Sequence, residues 1–155
     1  MPTPDFFDHG ARDLLARLRR LTPHTTPQWG QMNVAQMLAH CCKPFETVYD
    51  PEYERENPKP GAILGFILKT IAKPLVVGET PYRKNGRTAP SFVVADAREF
   101  EAERERLAAF IERAHAEGAA AFEGRESHSF GPLTARQWST MFQKHTDHHL
   151  TQFGV

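Results

Sequence analysis

Apolar residues return at helical intervals in four stretches of the chain. In the first, Phe7, Leu14, Leu18 and Leu21 recur at heptad-like spacing before "LTPHTTPQWG" breaks the run with two prolines and a glycine. The second predicts a helix from about Val34 to Tyr49, with Val34, Met37, Leu38, Cys41, Phe45 and Val48 on one side; Pro44 should bend or shorten it. The third carries Phe100, Leu107, Ile111 and Ala114 inward and should stop near Gly118. The fourth points Trp138, Met141, Phe142, His145 and His149 inward and ends by Gly154.

Three helix starts share one grammar. Asn33 with Gln36, Asp96 with Glu99, and Thr134 with Gln137 each pair a capping residue with a polar partner three positions on. Each is flanked by an apolar pair placed for a hydrophobic staple: Met32 with Met37, Ala95 with Phe100, Leu133 with Trp138. From Asp50 to Pro90 the chain is rich in proline and glycine around "GAILGFILKTIAKPLVVG", which predicts a buried or interfacial helix ending near Lys73, ahead of Pro74. "PSFVV" reads as a short extended piece. The expected fold is all-α: a four-helix bundle over residues 1–155, one domain, with an inserted Pro-rich segment and short helix between helices 2 and 3.

Composition narrows the function classes. Lys+Arg and Asp+Glu both number 19, so no net field draws the whole chain to nucleic acid or to a membrane. Arg12, Arg17, Arg19 and Arg20 cluster on one short amphipathic segment, which reads as a solvated face. The greasy stretch is interrupted by Lys69, Lys73 and Pro74 and is too short and charged to span a bilayer. "MPTPDFFDHG" lacks a basic start followed by an apolar run, so no signal peptide is expected. Cys41 and Cys42 are adjacent and do not suit an unstrained bridge, which fits a reducing, cytoplasmic compartment.

The chemistry lies in the closing segment, "QKHTDHHLTQFGV". At about 100° per residue, His145 and His149 fall within about 20° of Trp138, at the centre of the buried stripe. Spaced i, i+4, the two rings project one turn apart, so one ion can take a nitrogen from each at about 2.0–2.1 Å. His148 lies about 80° off that line. Either these are core histidines satisfied by hydrogen bonds, or the face holds a metal. A third ligand would favour the metal, and the best candidate is His40 in "VAQMLAHCC", at the edge of the second helix's apolar stripe. Cys41, nearer the stripe centre, reads as core filler. His9, His24 and His115 have weaker cases, and His128 could line the mouth of a site.

"TPQWGQMNVAQMLAHCCKPFE", "APSFVV" and "KHTDHHLTQFG" resemble a subgroup, of undefined function, of the DinB-like (YfiT-like) four-helix metalloproteins. The family's last-helix pattern is H-x-x-x-H followed closely by Gln, with an upstream histidine on the second helix. The resemblance implies a down-up-up-down bundle, often dimeric, with His40, His145 and His149 holding one divalent metal. Members of known activity are thiol-dependent transferases and isomerases that use a low-molecular-weight thiol. The sequence departs from them in the 50–88 insertion, which could cap or reshape the pocket.

Three neutral nitrogens leave an ion coordinatively open, which suits hydrolysis through a water or transfer through a thiolate. Imidazole suits zinc, nickel, copper and iron alike. Other candidates are few. Asp147 points away from the ligand face, and Glu103 and Arg104 either pair at the bundle rim or orient an imidazole. Trp29 and Phe45 are pocket or core residues. The expectation is a metal-dependent enzyme acting on a small molecule; the alternative is a metal-binding or stress-response bundle without catalysis.

Overall fold

The computed structural model describes residues 3–155, which are mostly helical and carry one small antiparallel sheet. A wide turn at Phe6–Gly10 leads into α1 (Ala11–Leu18). Asp5 accepts from the Phe7 amide at 2.9 Å, and Ser139 bonds both Asp5 and the Phe6 amide, so the start of the chain is tied to the last helix. α2 is Val34–Tyr49, capped reciprocally by Asn33 and Gln36. Pro44 sits inside α2 without ending it. α3 (Pro51–Glu56) follows at once, capped by Asp50 with proline in its first turn, where no amide is needed.

The greasy segment forms a helical arm: α4 (Ala62–Ile67), a wide turn Leu68–Ala72, and α5 (Lys73–Val77). It differs from expectation in two ways. It continues past Lys73, because the wide turn bonds the Lys73 amide to the Leu68 carbonyl and takes up the irregularity before Pro74. Of the buried and interfacial alternatives it does not meet the first: most of its apolar side chains are exposed, Leu68, Ala72 and Val76 are half-buried, and Val77 alone is buried. A single 3₁₀ turn at Pro90–Phe92 precedes the extended run from Val93.

α6 spans Phe100–Phe122, but its helical geometry is broken at Gly118, where φ is 75° and ψ 169°, so the first run ends near the expected glycine and a short helical turn follows the kink. Its start corrects the Asp96–Glu99 capping signal. The helix begins at Phe100, Glu99 holds the cap position without a side-chain bond, and the Asp96 carboxylate is engaged by Arg98 at 3.0 Å. A hairpin of β1 (Arg125–Ser127) and β2 (Gly131–Leu133) then pairs Arg125 with Leu133, so the all-α expectation does not hold strictly. Ser127 closes its turn, donating to the Gly131 carbonyl and accepting from the Phe130 amide. α7 (Ala135–Gln152) carries the expected Thr134–Gln137 box.

α2 packs on α6 and α7, α1 packs on the same two, and α6 packs on α7. Their shared interior is aromatic. Phe45 stacks on Phe142 at 4.4 Å between centroids, and Phe6, Phe122 and Trp138 close around them. Each such ring removes a large apolar area from water, so this cluster is the main source of stability. Along α7 the stripe Trp138, Phe142, His145, His149 runs out of this core into a polar end. No helix of the described residues is long and apolar enough to cross a membrane.

Candidate metal centre

α7 delivers His145 and His149 one turn apart, and α2 delivers His40 from its second turn. One ligand nitrogen from each ring lies within 4.8 Å of the others. Nε2 of His40 and Nε2 of His145 stand 3.1 Å apart. Two nitrogens bound to one tetrahedral ion at about 2.05 Å would stand about 3.3 Å apart, so the spacing, which is also that of an N–H···N hydrogen bond, fits a shared cation.

The outer hydrogen bonds decide which nitrogens face inward. A carbonyl only accepts, so Nδ1 of His40 donates to the Phe92 carbonyl at 2.8 Å and leaves Nε2 as a bare lone pair. Gln152 Nε2 donates to the Trp29 carbonyl at 2.6 Å, which fixes the amide with Oε1 toward His149; Nδ1 of His149 donates to that oxygen at 2.8 Å. Two rings are therefore held in the tautomer that offers Nε2.

His145 shows the strain of the arrangement. Its Nδ1 is buried without a partner. With the proton on Nδ1, two Nε2 lone pairs oppose each other across 3.1 Å; with it on Nε2, the Nδ1 lone pair is stranded. Such a buried leftover costs about 1–3 kcal/mol. A cation accepting both Nε2 lone pairs removes the repulsion and leaves only one N–H unpaired, so the residues present fit a divalent metal. Burial pushes His40 and His145 below the ordinary histidine range and His149 down to about 3, keeping all three in the neutral form a metal needs.

His40 and His149 open onto a cavity of about 330 Å³. Trp29, Met32, Phe92 and Val94 give it apolar walls, and Asn85, Gly86 and Thr88 bring the tail of the insertion to its mouth. His148 lines it too, half-exposed and edge-on to Trp29 and Tyr82, with its pKa lowered by desolvation. Apart from the two ligands, it is the only titratable side chain in the lining.

The remaining candidates lie elsewhere. Asp147 pairs with Arg17 at 2.5 Å, joining α7 to α1. Glu103 is paired with Arg106 and Arg98, and Arg104 with Glu101, so both serve the rim and neither touches an imidazole. Cys41 and Cys42 are buried in the core, where desolvation raises both thiols, Cys42 to about 12. Phe45 is core, while Trp29 lines the cavity. His128 bonds the Asn57 carbonyl and lines a different cavity beside the hairpin. His9 and His24 are exposed, and His115 stays on α6.

Sequence reasoning assigned no role to Gln152, to the Phe92 carbonyl or to Gly30. The carbonyl has no side-chain signature, and Gln152 was visible only as the glutamine of the resemblance. Gly30 is required twice: its φ is 84°, and a Cβ there would lie 2.5 Å from the Gln152 amide. Lys144, beside His145, is also buried, and its ammonium donates to the carbonyls of Leu75, Gly78 and Thr80 at 2.5–3.1 Å.

Neither the curated proteins nor the solved structures contain a match to the chain. A family model does match, over residues 7–154, and the chain belongs to that family, described as protein of unknown function (DUF1569).

Proposed function

We propose that the chain is a DinB-like four-helix metalloprotein, with the down-up-up-down bundle formed by α1, α2, α6 and α7. In this reading His40, His145 and His149 hold one divalent ion, and the protein is an enzyme acting on a small molecule with a low-molecular-weight thiol. The observation that carries it is the convergence of three neutral imidazoles, of which His40 and His149 are locked by outer hydrogen bonds and open onto a cavity. When bound, an ion with three nitrogen ligands supplies an open position and lowers the pKa of a thiol or water beside it.

The lining favours the thiol route over hydrolysis. Among the described residues it holds no carboxylate, no amine and no cysteine, so a thiol nucleophile would come from outside the chain, and His148 is the one acid–base group beside the ligands. His148 is the residue placed to take the thiol proton, since burial keeps its ring neutral near pH 7. Trp29, Met32 and Phe92 exclude water and offer apolar contact to the substrate's carbon skeleton. The same shortage of acid–base groups supports a second reading, a metal-binding module without turnover.

Elemental analysis of the wild type beside His40→Ala, His145→Ala and His149→Ala tests the ligand set. About one divalent ion per wild-type chain and loss of most of it in each variant is the expected result. Cobalt-loaded protein titrated with small thiols then separates the two readings. A thiolate-to-cobalt absorption band supports the enzyme; an unchanged spectrum leaves the binding module.

A further inference from the structure

The arm from Ala62 to Val77 carries nearly all the large apolar surface that the fold leaves uncovered. Ile63 is 82% exposed, Phe66 69%, Ile71 64% and Leu75 58%, with Leu64 and Ile67 also open to solvent. Among the described residues the only other large apolar side chain so exposed is Val93. Ile63, Ile67 and Ile71 are spaced i, i+4, i+8 and share one face, while Lys69 and Lys73 are spaced i, i+4 on another. Exposed surface of this kind marks a docking face.

The arm is held by polar bonds at its C-terminal end. Val77 is buried, and Lys144 grips the carbonyls of Leu75, Gly78 and Thr80. At the other end Gly61, Phe66 and Lys69 line a cavity of about 310 Å³ with the hairpin residues Ser127 and His128, and the Lys69 side chain lies beside Gly131. The most exposed side chains are at this N-terminal end.

Charge selects the occupant. Residues 57–90 contain six cations (Lys59, Lys69, Lys73, Arg83, Lys84, Arg87) and one carboxylate, Glu79, which is already paired with Arg136 at 2.7 Å. Lys59 pairs with Glu54 at 3.5 Å and Lys84 lies over the Trp29 ring, so Lys69, Lys73, Arg83 and Arg87 carry the segment's charge. The zero balance of the whole chain therefore hides a segregated basic segment. We propose that this arm is an interfacial helix that lays its apolar face into an anionic lipid bilayer surface, with the neighbouring lysines and arginines on the headgroups. A pairing with a second copy would gather lysines from both copies with no carboxylate on the arm to offset them. A bilayer interface needs no partner carboxylate.

Sedimentation of the full chain with vesicles tests this directly. Wild type should pellet with vesicles of phosphatidylglycerol and phosphatidylcholine, bind phosphatidylcholine alone at least tenfold more weakly, and release as salt rises. Ile63→Glu/Phe66→Glu should lose binding by tenfold or more, and Lys69→Gln/Lys73→Gln by several-fold. These side chains are exposed or flanking, so both variants should keep the wild-type circular dichroism and melting temperature. Absence of vesicle binding overturns the proposal, and so does equal binding to neutral and anionic vesicles. A dimer in sedimentation equilibrium that Ile63→Glu/Phe66→Glu makes monomeric, without lipid binding, assigns the face to a second copy instead.

Discussion

At the scale of single residues, the site is a set of three rings whose usefulness depends on atoms beyond them. His145 and His149 were legible because H-x-x-x-H keeps phase with Trp138 and Phe142, and His40 because it edges the α2 stripe. The devices that orient two of them were not legible: a backbone carbonyl at Phe92, and the chain His149–Gln152–Trp29 carbonyl, which crosses more than a hundred residues. Gly30 is the hidden member of that chain. Gly30→Ala puts a Cβ where the Gln152 amide must sit, at a φ that L-residues avoid, so Gln152 should leave the Trp29 carbonyl and His149 should lose its orienting partner. Outer partners of ligand histidines are worth about 10–100-fold in metal affinity. Chelator competition should therefore show Gly30→Ala and Gln152→Ala each weakening metal binding within that range. Unaltered affinity in both would mean that the outer chain does not tune the site.

At the scale of elements, local signals succeeded where the chain could obey them alone. The boxes at Asn33 and Thr134 formed as read, and α2 has the expected bounds. The third signal failed because competing contacts claimed it: Arg98 took the Asp96 carboxylate, and Gln36, reaching from α2, took the Asp96 carbonyl at 3.2 Å. The hairpin left no periodic trace, since its strands are three residues each and its turn is closed by one serine. Removing a true cap costs about 1 kcal/mol. Asn33→Ala and Thr134→Ala should each lose about that much in urea denaturation, whereas Glu99→Ala, at a position making no capping bond, should change stability by less than half as much. Between α2 and α6 the stakes are higher. Arg106 bridges buried Glu46 and buried Glu103, which keep Lys43 and Arg98 as their other partners, so Arg106→Met leaves each carboxylate half-satisfied and should cost about 1–3 kcal/mol, read as a lower urea midpoint.

At the scale of the whole molecule, a buried layer of neutral histidines makes acid a threat before any carboxylate titrates. An unfolded histidine titrates near 6.5, whereas burial holds His40 and His145 lower and His149 at about 3 in the fold. Above about pH 6.5 neither state binds these protons and stability is flat with respect to them. As pH falls below that, the unfolded chain takes up protons that the folded chain refuses, so stability drops by up to about 1.4 kcal/mol per pH unit for each histidine. The carboxylates add their own loss lower down; Glu79, held near 2 by its bonds to Thr3, contributes only below its ordinary range. The window from pH 6.5 to 5 therefore isolates the histidines. Metal-free protein should show a urea midpoint that falls steadily across it, and His145→Leu/His149→Leu should partly flatten the curve by removing two of the four histidines, His148 included, whose pKa burial lowers. Because burial already keeps the ligand imidazoles neutral in the fold across this window, adding a divalent ion should raise the midpoint by about the same amount at pH 7 and at pH 5. An equal slope in the double variant would locate the acid sensitivity outside this layer, and an unchanged midpoint with the ion at both pH values would mean that the folded chain does not bind it.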